Sequence, residues 1–423
     1  MLFKGSRDLI PLYALYALLF ADHGLSTAQI SSLLAIWSLT AFVLEVPSGA
    51  WADTVSRRAL LILSAILLVS GFAVWTVTPS YLGFAIGFVL WGTAGALESG
   101  TFEALIYDDL VARGERTAYP RIMGYTRAAA ETAVVVAILA AAPLYAWGGY
   151  ALVGWSSVAV ATLHAFIALS MPRAPMAVSA GVVDELEEQV AEDDLSATTP
   201  AASDGAGSGE EGTQSPFARY LTMLRTGIGE AIRVRQVRYG VLLGSLLYGL
   251  TAYDEYFALL AESAGAATAV VALLVGLTVL GSMSGALLAG RTENMSARTM
   301  ALALVVGAAL FIAGCLITGL ATEHPKSVYL LTGVGFTAIG AAYGVVYNTS
   351  VVAEARLQDA IEGPARATVT SVSGLLSELV ALAIFGFVAL ATLWLSMATT
   401  LAILGVLMLV LALVTPAWLP RKS

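Results

Sequence analysis

Apolar runs of about twenty residues recur along this chain, and each is long enough to cross a bilayer as a helix. Hydropathy places them near 8–25, 27–52, 59–78, 81–107, 122–146, 150–171, 237–260, 267–290, 298–321, 327–354, 367–391 and 395–418. Backbone that enters hydrocarbon must satisfy its own N–H and C=O groups, which leaves helices or a closed barrel. Run length and the lack of period-two alternation select helices. Only 12% of the residues are charged and 58% are apolar, too little charge to cover a soluble domain of 423 residues. The chain reads as an all-α membrane protein with twelve transmembrane helices.

The bases orient these spans. If Lys4 is cytoplasmic, every Lys and Arg except Lys326 and Arg127 falls on the cytoplasmic side, a strong positive-inside bias. Both termini are then expected in the cytoplasm, with the protein in the plasma membrane. Lys4 and Arg7 ahead of a short apolar run imitate a signal peptide, but Pro11 interrupts the run and no small-x-small cleavage pattern follows convincingly. The first span is therefore expected to be retained.

The long connection after the sixth span divides the chain. Residues 1–172 form one six-helix unit and 237–423 another. Between them lie an acidic linker over 173–216, too poor in apolar area to fold alone, and an amphipathic cytoplasmic helix over 217–236. Ten of the 30 acids fall between Asp184 and Glu211, so the net charge of −9 belongs to this linker and points to no nucleic-acid partner. Cys315 is alone, and His23, His164 and His324 are scattered, so neither a disulfide nor a metal framework is expected. The halves echo each other in order: "GFVLWG" in span four with "GFTAIG" in span ten, and "AETAV" in span five with "SELVA" in span eleven. Such echoes imply two pseudo-symmetric bundles with a site between them.

Between spans two and three stands "GAWADTVSRR". Gly49, Asp53, Arg57 and Arg58 resemble the G-x-x-x-D-[RK]-x-G-[RK]-[RK] loop of the major facilitator superfamily, with Thr54 and Ser56 departing from it. "EVPSGAWAD", "ESGTFEALIYDDL" and "RATVTSVSGLLSEL" also look like segments of bacterial exporters. The antiporter signature of the fifth helix survives only as "ILAAAPLYAWGG", and the arginine usual in the fourth helix is missing. The resemblance implies a gating latch in which Asp53 pairs with Arg57 and contacts the start of span eleven while the cavity faces outward, with Asp108 or Asp109 supplying a further acid at the inner end of span four. It also implies that spans one, four, seven and ten line the cavity. Tyr13, Tyr16, Trp91, Tyr248, Tyr253, Tyr343, Tyr347 and Asn348 are candidates there.

Ionisable side chains at bilayer depth are costly and mark function by default. Glu45, Glu98, Glu131, Asp254, Glu255 and Glu378 lie within spans against a single guanidinium, Arg127. Arg127 and Glu131, four apart on one helix face, are expected to pair, with Glu98 close by. Glu98, Glu131, Glu378, Asp254 and Glu255 are the candidates for proton coupling. The excess of acid favours protons, a cationic guest, or both. The expectation is a proton-coupled exporter of amphipathic or cationic small molecules, monomeric and without cofactor. Export of a native metabolite, nutrient uptake and a membrane scaffold remain open beside it. Nothing in the sequence pairs a nucleophile with a base, so an enzyme is not expected.

Overall fold

The computed structural model describes residues 1–175, 234–361 and 366–420. The helices are α1 (Leu2–Asp8), α2 (Tyr16–Asp22), α3 (Thr27–Thr54), α4 (Arg57–Val77), α5 (Tyr81–Glu98), α6 (Thr101–Arg113) and α7 (Tyr119–Leu169) in the first half. The second half holds α8 (Arg235–Leu250), α9 (Phe257–Ser263), α10 (Thr268–Thr292), α11 (Ala297–Leu320), α12 (Val328–Ala360), α13 (Arg366–Ala391) and α14 (Met397–Trp418). Most of the linker and of the expected amphipathic helix over 217–236 lies outside the described residues.

Nine segments among the described residues are long and apolar enough to cross a membrane. The longest, Arg116–Leu169, holds two crossings, because α7 breaks at Gly148 and Gly149, the latter at φ 59°. That break falls between the fifth and sixth runs of the sequence. The two remaining crossings are each interrupted. The first runs α1, a 3₁₀ turn over Pro11–Ala14, then α2; the seventh runs α8, a 3₁₀ turn over Thr251–Tyr256, then α9. This corrects the unbroken spans read over 8–25 and 237–260. Proline 11 offers no N–H to a helical ladder, and the Leu12 N–H donates instead to Ser157 Oγ at 3.0 Å. In the seventh span no breaker exists; Thr251 Oγ1 donates back to the Tyr248 carbonyl at 2.6 Å and the chain tightens. The fourth span is also split, since Gly100 at φ 66° separates α5 from α6.

Serines cap the starts. Ser26 and Gln29 form a capping box at α3, and Ser56, Ser80, Ser296 and Ser396 accept from the third backbone N–H beyond them at α4, α5, α11 and α14. Close packing in the second half rests on glycine: a Cβ on Gly281 would lie 2.1 Å from the Gly340 carbonyl oxygen, and one on Gly285 2.0 Å from that of Gly344. This is the small-residue contact that lets two membrane helices approach at backbone distance.

The α-ammonium of Met1 meets Thr126 at the start of α7, and Tyr239 at the start of α8 stacks on Trp418 at the end of α14, 5.5 Å between centroids. Both described chain ends thus share one face, here called the terminal face. The two halves meet along a seam formed by α3 with α13, α7 with α10, and α2 with α9. In the half of the seam nearer the opposite face, Ser31 and Tyr256 share a hydrogen bond of 2.7 Å, and a Cβ on Gly276 would touch Ile138 at 3.3 Å. Toward the terminal face Gly49, Gly124, Gly290 and Gly374, on the four long seam helices, have nothing within 4 Å of a Cβ position. The described hydrogen bonds between the halves gather from mid-depth to the opposite face.

Candidate functional site

The 3₁₀ turn of the seventh span carries Asp254, Glu255 and Tyr256 in succession. Three residues per turn splay consecutive side chains about 120° apart, so the three reach different partners. Asp254 accepts from Tyr343 Oη at 2.5 Å within its own half. Glu255 accepts from Tyr16 of the other half, and Tyr256 bonds Ser31 there. Glu378, on α13, accepts a hydrogen bond from Ser38 on α3, again across the seam. The broken helix is what aims both Glu255 and Tyr256 at the opposite half, and hydropathy gave no sign of it.

Arg127 and Glu131 are exposed and form no ion pair among the described residues, which corrects the expected pairing on one face. Water competes for both groups, and an exposed pair gains too little to hold two long side chains together. Exposed Tyr248 lies within electrostatic reach of Glu378, Asp254, Arg127 and Glu131, and Tyr347 within reach of Asp254 and Glu131. Glu45, lower on α3, accepts from Ser99 Oγ at 2.9 Å.

Glu98 lies elsewhere than expected. Its carboxylate is 2% exposed and sits 2.9 Å from Lys4 Nζ and 2.5 Å from Arg7 Nε, with Lys4 also 3.2 Å from Glu103. The α5 segment of the fourth span packs on α3 and α4, whereas α7, which holds the fifth and sixth spans, packs on α1 and α4. It meets α6 only weakly, so the fourth and fifth spans share little contact. Around this cluster Arg7 also meets Asp8 at 3.2 Å, and buried His164 shares a 3.1 Å hydrogen bond with Ser6. A polar cavity of about 390 Å³ adjoins it, lined by Lys4, Arg7, Glu98, Ser99 and Glu103. Lys4 and Arg7 read as topological bases in the sequence; their i, i+3 spacing on the first helix was the available signal that both face one partner.

At the loop after α3, Arg57 is 2% exposed and its Nη1 lies 2.6 Å from Asp108 Oδ2, while its Nε donates to the Ala52 carbonyl at 3.2 Å. Arg58 donates to the Leu169 carbonyl. Asp109 points away and pairs with exposed Arg113 at 2.9 Å. Of the two acids left open by the sequence, Asp108 is the partner of Arg57. The side chain of Asp53 and the first residues of α13 lie outside the described set, so the expected latch between them does too.

The aromatic candidates separate by burial. Tyr13, Trp91 and Trp37 stack in series at 5.2 and 5.0 Å on the first half, all partly exposed, and buried Tyr16 packs on Phe88 beside them. Tyr248 is 58% exposed and Tyr347 half-buried. Tyr253 and Tyr343 are core instead: Tyr253 packs 4.7 Å from Phe311, and Tyr343 spends its hydroxyl on Asp254. Asn348 is corrected as well. Its amide donates to the Gly285 carbonyl at 2.9 Å and accepts from Thr292 at 3.0 Å, which ties α12 to α10.

A broken first helix in each half and a seam crossed by carboxylate hydrogen bonds are features of an alternating-access carrier. The sequence profile of the Major Facilitator Superfamily matches residues 7–376. The chain belongs to the Major Facilitator Superfamily. It is a multi-pass secondary transporter and not an enzyme. No curated protein sequence matches it. Solved structures of superfamily members share the fold. The nucleoside transporter NupG superposes with a TM-score of 0.65 at 12% identity, over 100% of this chain and 96% of that one. A D-xylose–proton symporter gives 0.63 at 16%, over 99% and 95%, and an auto-inhibited POT family peptide transporter 0.66 at 11%, over 100% and 96%.

Proposed function

We propose that this transporter exports amphipathic or cationic small molecules across the plasma membrane in exchange for protons, as a monomer with both termini cytoplasmic. The observation that carries the reading is the pair of carboxylates bonded across the seam, Glu255 to Tyr16 and Glu378 to Ser38. No cation pairs with either among the described residues, so each is free to cycle between ionised and protonated forms. Opening the opposite face must break both bonds and expose the acids to water on that side. Proton binding is thereby tied to which face is open, and that is what coupling requires. Glu131 and Asp254 add further acid to a cavity in which Arg127 is the cation, a balance suited to a cationic guest, while the Tyr13–Trp91–Trp37 stack and Tyr248 suit an amphipathic one. Glu98 serves a different role, holding the first helix through Lys4 and Arg7. Asp53 closes the terminal face against the start of α13 in the opposite state.

The test is substrate flux in proteoliposomes under an imposed pH gradient, run against a panel of organic cations, sugars and nucleosides. Glu255→Gln and Glu378→Gln are expected to reduce pH-driven accumulation at least tenfold while keeping substrate exchange, which needs no net proton movement. Wild-type pH dependence in both variants would sink the coupling assignment. Accumulation along the proton gradient would assign symport in place of export.

A further inference from the structure

A cavity of about 650 Å³ opens at the terminal face of the second half, away from the seam. Four helix ends build it. Arg235, Gln236 and Tyr239 come from the start of α8, Ala297 from the start of α11, Arg356 from the end of α12, and Pro416, Trp418 and Pro420 from the end of α14 and just beyond. Two of these ends are N-termini of helices longer than four turns, where backbone N–H groups and the helix dipole favour an anion. Val234, at the cap of α8, has no side-chain oxygen to occupy that end, whereas Ser296 already caps α11.

The side chains add charge of the same sign. Arg235 is exposed, forms no ion pair among the described residues and lies 5.7 Å from the Tyr239 ring. Arg238 covers the same ring at 4.9 Å. Arg356 is only 7% exposed; its Nη2 is fixed to the carbonyls of Glu293 and Met295, both at 2.6 Å, and its Nε, buried, has no hydrogen-bond partner among the described residues. The acids within its electrostatic reach are Glu293 and Asp359, neither in an ion pair with it. Tyr239 stacked on Trp418 forms one wall, an aromatic pair of the kind that settles at headgroup depth.

We propose that this cavity binds the phosphate of an anionic membrane lipid. The uncapped N-terminus of α8 and two arginines supply the anion contacts, and the Tyr239–Trp418 wall sets the cavity at the level where a headgroup, rather than a soluble ion, arrives at high local concentration. The site is independent of the transport cavity.

The test uses the purified full chain in detergent. Short-chain phosphatidylglycerol, phosphatidylcholine and inorganic phosphate are titrated separately, with bound lipid read by native mass spectrometry and Tm by intrinsic fluorescence. Phosphatidylglycerol is expected to bind at least tenfold tighter than phosphatidylcholine and to raise Tm. Arg235→Glu, an exposed position, is expected to erase that preference. Arg121→Glu, the same charge change at an exposed site of the first half, is expected to keep it. A preference that survives Arg235→Glu, or none in the wild type, overturns the site. Inorganic phosphate protecting as well as the lipid at equal concentration overturns the lipid assignment and leaves a soluble-anion site.

Discussion

Asp108 and Asp109 are adjacent, identical in chemistry and indistinguishable by motif, yet burial gives them opposite energetics. Asp108 is buried against buried Arg57, whereas Asp109 pairs with an arginine that is 61% exposed. Removing one member of a buried pair leaves a charge without water or partner, a cost of about 3–5 kcal/mol. An exposed i, i+4 pair is worth about 0.3–0.5 kcal/mol. Asp108→Asn is therefore expected to lower the thermal stability of the purified protein sharply and Asp109→Asn hardly at all; equal losses would contradict the assignment. The same distinction explains what the sequence could reveal of the site. Intramembrane charges announce themselves by their cost, so Glu98, Asp254, Glu255 and Glu378 were all legible as unusual. Their partners were not, because partnership depends on which helices touch. Glu98 answers to Lys4 and Arg7, some ninety positions away, and Arg127 stands apart from the Glu131 of its own helix face.

Among elements, α10 and α12 meet at backbone distance, and glycine is the reason. A Cβ on Gly281 would meet the backbone of α12 at 2.1 Å, while one on Gly290, two and a half turns along the same helix, would meet nothing within 4 Å. Backbone cannot rotate away as a side chain can, so Gly281→Val must push the helices apart, an overpacking cost of about 1–3 kcal/mol or more. Gly290→Ala is expected to be neutral or to stabilise, since alanine is favoured over glycine by about 1 kcal/mol within a helix. A Tm for Gly281→Val at or above wild type would contradict the close approach. The Gly-x-x-x-Gly spacing made this contact legible from sequence. The break in the seventh span was not, since no proline or paired glycine marks Thr251–Tyr256 and the turn is set by tertiary packing. Hydropathy sees length and polarity, and a 3₁₀ turn inside an apolar run changes neither.

At the scale of the whole molecule, the two halves form a rocker whose closed end is defined by a few contacts. The described seam is held through Ser31 with Tyr256, Tyr16 with Glu255, Ser38 with Glu378, and Gly276 against Ile138. Twelve crossings and the division into halves were readable because run length and loop composition are local properties. Which contacts hold the seam was not, since alternate states of a carrier share one sequence and differ only in the seam. If the cavity alternates, locking the closed end must stop transport without unfolding the protein. Ile138→Cys with Gly276→Cys, in a Cys315→Ala background, places two thiols at the point where a Cβ on Gly276 already touches the Ile138 side chain at 3.3 Å. Oxidation or a short bifunctional thiol reagent is expected to join them and to abolish flux, with recovery on reduction of the disulfide. In the joined protein a cysteine at Gly290 should still react with a reagent supplied from the terminal face, because the lock holds the molecule in the state described here. Full transport in the cross-linked protein would mean that this seam does not open during the cycle. Loss of Gly290 labelling on cross-linking would mean that closing the opposite face and opening the terminal one are not the same movement.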